Sequence, residues 1–265
     1  MRALILVIFL CIVFVSSALN YKIIWKEEVD KTTDEKARVW LDTLVSASYR
    51  INGQYPDTLT FYLNQVNTLK DGCGWAYVKY PHKIRGVYMD VNVHVSLDTL
   101  LSNWEPPHEI SHLALPFMGE ENRWISEGFA TYMSRHVMLG LGIYDDETIM
   151  EFYHQTFSEV EEYYLRDETF EYVALELIER RKYSAFYRGG AMYFYVCDHF
   201  MLERNGIRLR DVINEYQSTH KKTDIGFDMM IDSLDGLVGE PILRKTLYFF
   251  KTTPARVIMD FVLTH

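Results

Sequence analysis

The 265-residue sequence predicts an α+β fold, a small amino-terminal sheet followed by a mostly helical lobe. Strand-like alternation is confined to residues 59–95, and beyond Ser96 the apolar residues recur at helical spacing. Strands followed by helices, rather than interleaved with them, is the α+β order. Hydrophobic residues make up 48% of the chain, which supplies a sizeable core, and no segment is repetitive or of low complexity.

The elements follow in order. Residues 1–18 read as an export signal: a basic Met1-Arg2, an apolar run from Ala3 to Val15, then small residues at Ser16, Ser17 and Ala18. That run is shorter than the ~20 residues of a membrane span, so a membrane role is expected only if the segment stays on as an anchor extended by Leu19. Residues 34–49 place Val39, Leu41, Leu44 and Val45 on one side of a helix. Strands are expected over residues 59–66, 75–80 and 84–95, the last alternating through Val87, Met89, Val91, Val93 and Val95. Helical spacing then covers residues 123–139, 145–164, 168–181, 187–204, 209–216, 241–251 and 255–263. The chain thus divides into a sheet-bearing α/β subdomain, residues 19–105, and a helical part, residues 106–265.

Chemistry concentrates at the start of the helical part. His108-Glu109-Ile110-Ser111-His112 is an H-E-x-x-H pentapeptide, with Pro106-Pro107 before it where a helix can begin. On a helix, residues i and i+4 share a face, so both imidazoles can reach one ion while Glu109 stands beside it as a base. A catalytic zinc needs a third protein ligand and an open position for water. Pro116, Gly119 and Asn122 predict a turn after the first helix. Two helices joined by a short turn are usually antiparallel neighbours, which brings Glu127 of the second helix back toward the His pair. His108, His112 and Glu127 are therefore the expected ligands of one Zn2+ ion.

The pentapeptide, together with the W-x-x-E-G-x-A-x-Y run from Trp124 to Tyr132, resembles the gluzincin metallopeptidases, the H-E-x-x-H…E clan. The tryptophan and the E-G-F-A run are similar to those of its aminopeptidase branches. Fourteen residues separate His112 from Glu127, fewer than is usual in the alanyl-type enzymes, which implies a divergent branch with the glycyl-type enzymes as a possible relative. The resemblance implies a thermolysin-like catalytic domain and a peptide or protein substrate cut by metal-activated water, with Glu109 as general base. Tyr187-Arg188-Gly189-Gly190 is similar to the Y-x-x-G stretch in which these enzymes carry an oxyanion-stabilising tyrosine. That makes Tyr187 the expected participant, with Tyr183 as the alternative. It also implies an edge strand that aligns substrate, for which residues 85–92 are the candidate, and Thr131 as a brace for the metal shell. The G-x-M-E-N element that holds a substrate's free amine is not found, so exo- and endopeptidase action both stay open.

Two other functions stay open at this point: a noncatalytic binding or scaffold protein on a peptidase-like fold, and a zinc hydrolase of a non-peptide amide or ester. The net charge of −10 argues against nucleic acid as a partner. The export signal leads to an extracytoplasmic location, secreted or periplasmic. Cys73 and Cys197 lack metal-binding spacing, and the sequence does not say whether they pair. His82, His94, His136, His154, His199 and His220 have no ligand-like partner at i+4 and read as packed or surface residues.

Overall fold

The computed structural model describes residues 19–79, 86–219 and 226–265. The expected export signal, His82, His220 and parts of two expected strands therefore lie outside the described residues. The fold is α+β, with a small amino-terminal sheet and a mostly helical body.

Four strands form one sheet: β1 (Tyr21–Trp25), β2 (Leu59–Gln65), β3 (Cys73–Lys79) and β4 (Gly86–Val91), in the order β1-β2-β4-β3. β1, β2 and β4 run parallel, and β3 pairs antiparallel with β4. The alternating run thus forms an interior strand, not an edge. Residues 85–92 are excluded as the strand free to pair with substrate, because β2 and β3 flank β4 on both sides. The antiparallel edge strand is β3.

Phe61, Leu63, Val87, Met89 and Val91 point to one face of the sheet and join the hydrophobic core, while Tyr62, Tyr77 and Tyr88 stack on the other. The strand pattern appeared to run on to Val95 because Val93 is also buried, but the ladder stops at Val91. There Asn92 turns the chain, its side-chain amide donating to the carbonyls of Asn67 and Leu69.

The helices are α1 (Lys31–Asn52), α2 (Leu97–Ser102), α3 (Glu105–His112), α4 (Arg123–Gly140), α5 (Asp146–Ser158), α6 (Glu161–Tyr164), α7 (Phe170–Glu179), α8 (Tyr183–Asn205), α9 (Leu209–Thr219), α10 (Phe227–Val238), α11 (Ile242–Thr252) and α12 (Ala255–Thr264). Asp30 caps α1, Ser96 caps α2, Thr169 caps α7, and Asp145 makes a capping box on α5, each through its side-chain oxygen. The single helix expected over residues 145–164 is two, interrupted at Glu159 and Val160. Strand β1 and helices α2 and α10 extend the predicted set.

α8 is the central helix. Every residue from Gly189 to Asp198 is buried, because α4, α5, α7, α9 and α11 pack around it. Cys73 and Cys197 are both buried free thiols, one in β3 and one in α8, with no bridge between them. Among the described residues, no helix is long and apolar enough to cross a membrane.

Candidate metal centre

The site begins with the placement of α3. Pro106 and Pro107 occupy its first turn, where backbone N–H groups have no intrahelical acceptor and their absence costs little. The helix ends at His112 and lies against the edge strand β3 on one side and α4 on the other. Gly119, at φ +85°, makes the return turn, and a short 3-10 segment (Glu120–Asn122) leads into α4. Asn122 pins that turn by donating its side-chain amide to the Met118 carbonyl at 2.8 Å.

These placements bring His108, His112 and Glu127 together. His108 Nε2 lies 3.2 Å from Glu127 Oε2 and 3.2 Å from His112 Nε2, and His112 Nε2 lies 3.4 Å from Glu127 Oε2. Three ligand atoms of a tetrahedral zinc with bonds of about 2.1 Å would stand about 3.4 Å apart. The spacing and the donor set, two imidazoles and a carboxylate, fit one such ion. Both histidines are buried, and Glu127 is mostly so.

A second layer sets the ring orientations. Thr131 Oγ1 is 3.4 Å from His108 Nδ1, and Ser126 Oγ is 3.5 Å from His112 Nδ1. A proton on each Nδ1, donated to a hydroxyl oxygen, leaves each Nε2 lone pair facing the shared centre. Thr131 thus stands where the sequence placed it. Ser126 is a residue that sequence reading missed, though it sits inside the signature, immediately before Glu127.

Electrostatics separates the carboxyl groups. Burial works against a charged Glu127, but hydrogen bonds from His108 and His112 outweigh it and hold its carboxyl well below the usual range. Glu109 goes the other way: burial raises it, the two histidines pull it partly back, Glu127 pushes it up, and the Val78 backbone amide of β3 acts to lower it. That amide contact places the free side of the edge strand against the base. One turn earlier on α3, burial and then the Glu109 charge push Glu105 up to about 7, another group the motif did not single out.

Tyr187 lies in the second turn of α8 with its ring centroid 5.7 Å from that of His108. Burial, then the nearby Glu127, raises its hydroxyl, which keeps the proton in place for donation. Tyr183 is 47% exposed, with its ring 6.5 Å from that of Tyr187. Of the two tyrosines, Tyr187 is the one in ring contact with a metal-site histidine.

No protein-family model and no curated protein matches the chain. Among solved structures, the chain is similar to an aminopeptidase N family protein from Idiomarina loihiensis. The TM-score is 0.62 at 16% identity, over 91% of this chain and 46% of that one. The likeness is one of fold. The chain spans less than half the length of that structure.

Proposed function

We propose that this chain is a zinc-dependent peptidase with a thermolysin-like, gluzincin-type catalytic domain. The observation that carries the reading is the convergence of His108, His112 and Glu127 to 3.2–3.4 Å from two helices, with a partly buried glutamate beside them. The aminopeptidase-like fold supports it.

His108, His112 and Glu127 would hold zinc, which supplies Lewis-acid polarisation of the scissile carbonyl and a more acidic water. Glu109 accepts a proton from the attacking water and passes it to the leaving amine. In the metal-free chain burial raises its pKa, the direction that strengthens a carboxylate as a base. Tyr187 donates its hydroxyl hydrogen to the carbonyl oxygen as that oxygen gains charge. β3, with one side unpaired among the described residues and the Val78 amide facing Glu109, is the strand on which an extended peptide would align. The substrate is a peptide or protein, and the signal-like composition of residues 1–18 supports a reaction outside the cytoplasm.

Metal analysis combined with digestion of a mixed peptide library, read by mass spectrometry, tests the reading. The expected result is about one zinc per chain and cleavage that stops on chelation and returns with zinc. Cleavage that persists in zinc-free protein would overturn it.

A further inference from the structure

A cavity of about 320 Å³ opens beside the ligand triad, between α4, α5 and α8. Trp104, Thr131 and Tyr187, which all contact His108, form part of its wall, so it adjoins the candidate metal centre. Its charged lining is entirely basic. Arg135 and Arg188 line it, and no aspartate or glutamate does among the described residues. In a chain of net charge −10, that concentration of cations in one cleft runs against the overall field.

Arg188 is already paired, with Glu159 at 2.7 Å. Arg135 is not: among the described residues no carboxylate forms an ion pair with it. Its guanidinium lies 4.3 Å from the Phe152 ring centre and 5.6 Å from that of Trp104. Nη1 reaches the Met138 sulfur at 3.4 Å, the Tyr144 hydroxyl is a further polar neighbour, and Nε is buried with no hydrogen-bond partner. Burial accordingly acts to lower its pKa. An apolar side chain would fill the space between the two rings without leaving a charge unmatched. A planar guanidinium held between aromatic faces, with donors unused, is instead preorganised for a bidentate anion.

Its position relates it to the triad. Glu127, Thr131 and Arg135 recur every four residues along α4, so Arg135 stands about 12 Å along the helix from Glu127 at ~1.5 Å per residue. An extended peptide rises about 3.3 Å per residue, so a carboxylate about three residues from the reacting bond spans that distance.

We propose that this cavity is a carboxylate-binding subsite in which Arg135 selects peptides carrying an acidic side chain or a free C-terminal carboxylate a few residues from the cleaved bond. The proposal rests on the peptidase reading for the word "cleaved" alone, and binding tests it separately. Zinc-loaded Glu109→Gln protein is titrated calorimetrically with three probes: tetra-alanine as the free acid, tetra-alanine amide, and the same amide with one alanine replaced by glutamate. One or both carboxylate-bearing probes bind about 10- to 100-fold tighter than the neutral amide, as expected for a charge-assisted hydrogen bond, and which one does identifies the source of the carboxylate. Adding Arg135→Met removes the preference, and Arg135→Lys keeps only part of it, because an ammonium lacks the fork. Equal binding of all three probes, binding of none, or a preference that survives Arg135→Met overturns the proposal. An Arg135-dependent preference in a protein whose wild type cleaves no peptide would support the subsite and remove the peptidase reading instead.

Discussion

Gly128 and Gly190 pack backbone against backbone where α4 crosses α8. A Cβ on Gly128 would overlap the Gly190 carbonyl. One on Gly190 would overlap the Trp124 carbonyl and lie 2.8 Å from the Gly128 Cα. The crossing bears on the candidate site because Glu127 immediately precedes Gly128 and Tyr187 lies one turn before Gly190. Two helices that touch at glycine bring the proposed metal ligand and the proposed proton donor toward the same centre. Gly128→Ala is therefore expected to destabilise the fold by about 1–3 kcal/mol through overpacking and to weaken zinc retention as well. Urea denaturation and zinc competition read the two effects; unchanged values of both would show that the helices have room to separate.

The hydroxyl of Thr131 contributes orientation rather than a metal bond. Thr131→Val keeps the shape and removes the partner of His108 Nδ1. Zinc affinity is expected to fall about 10- to 100-fold with the fold intact. Competition with a chromophoric chelator measures it. An affinity equal to wild type would mean that packing alone holds the ring.

Much of this site was legible from spacing. The two histidines at i and i+4, the turn at Gly119 and the E-G-x-A run carry their geometry in sequence, because each is a local backbone requirement. What escaped depends on distant partners. β1 is five residues long and is recognisable chiefly through its pairing with β2. α10 carries four acidic or glycine interruptions along its length, and one of them, Asp235, is buried because it accepts the Leu243 and Arg244 backbone amides and so caps α11. Arg135 reads in sequence as one more charge on a solvated helix face. Only the rings of Phe152, in α5, and Trp104, just before α3, show that it is enclosed.

Tyr132, the last residue of the signature, ties α4, the helix that carries Glu127, to the core through a buried acid. Its hydroxyl donates to Asp198 at 2.9 Å, and Asp198 also accepts from Arg208 at 2.9 Å and from the Leu209 backbone amide. Removing the acid strands a partly buried guanidinium and two further donors. Asp198→Ala is expected to cost about 3–5 kcal/mol in chemical denaturation, and Asp198→Asn less, since the amide oxygen still accepts. A loss below 1 kcal/mol for the alanine variant would contradict this.

His136 gives the fold a dependence on pH that is separate from the metal. It is buried against Tyr132 and Tyr153 with neither ring nitrogen hydrogen-bonded, and burial lowers its pKa to about 4, with Asp198 opposing. The unfolded value is about 6.5, so below that pH the unfolded chain binds the proton more readily than the folded one. The contribution is fully present above about pH 6.5 and is lost as pH falls toward 4, amounting to about 3 kcal/mol. Melting temperature followed from pH 7.5 to 4 in zinc-free protein should show the slope in wild type and a shallower one in His136→Phe. Identical slopes would assign the acid sensitivity to other groups.

The division of labour between the two site glutamates makes the sharpest pair of variants. Glu109 is not one of the three candidate ligands, and its proposed role is to move protons, so Glu109→Gln should retain about one zinc per chain while turnover falls about 10²- to 10⁴-fold, the range of a general base. Glu127 donates the oxygen that closes the triad, so Glu127→Ala should lose zinc under dialysis that leaves Glu109→Gln loaded. The comparison needs both measurements, since a loss of activity alone does not separate them. Stable zinc in Glu127→Ala, or wild-type turnover in Glu109→Gln, would show that the roles have been assigned to the wrong carboxylates.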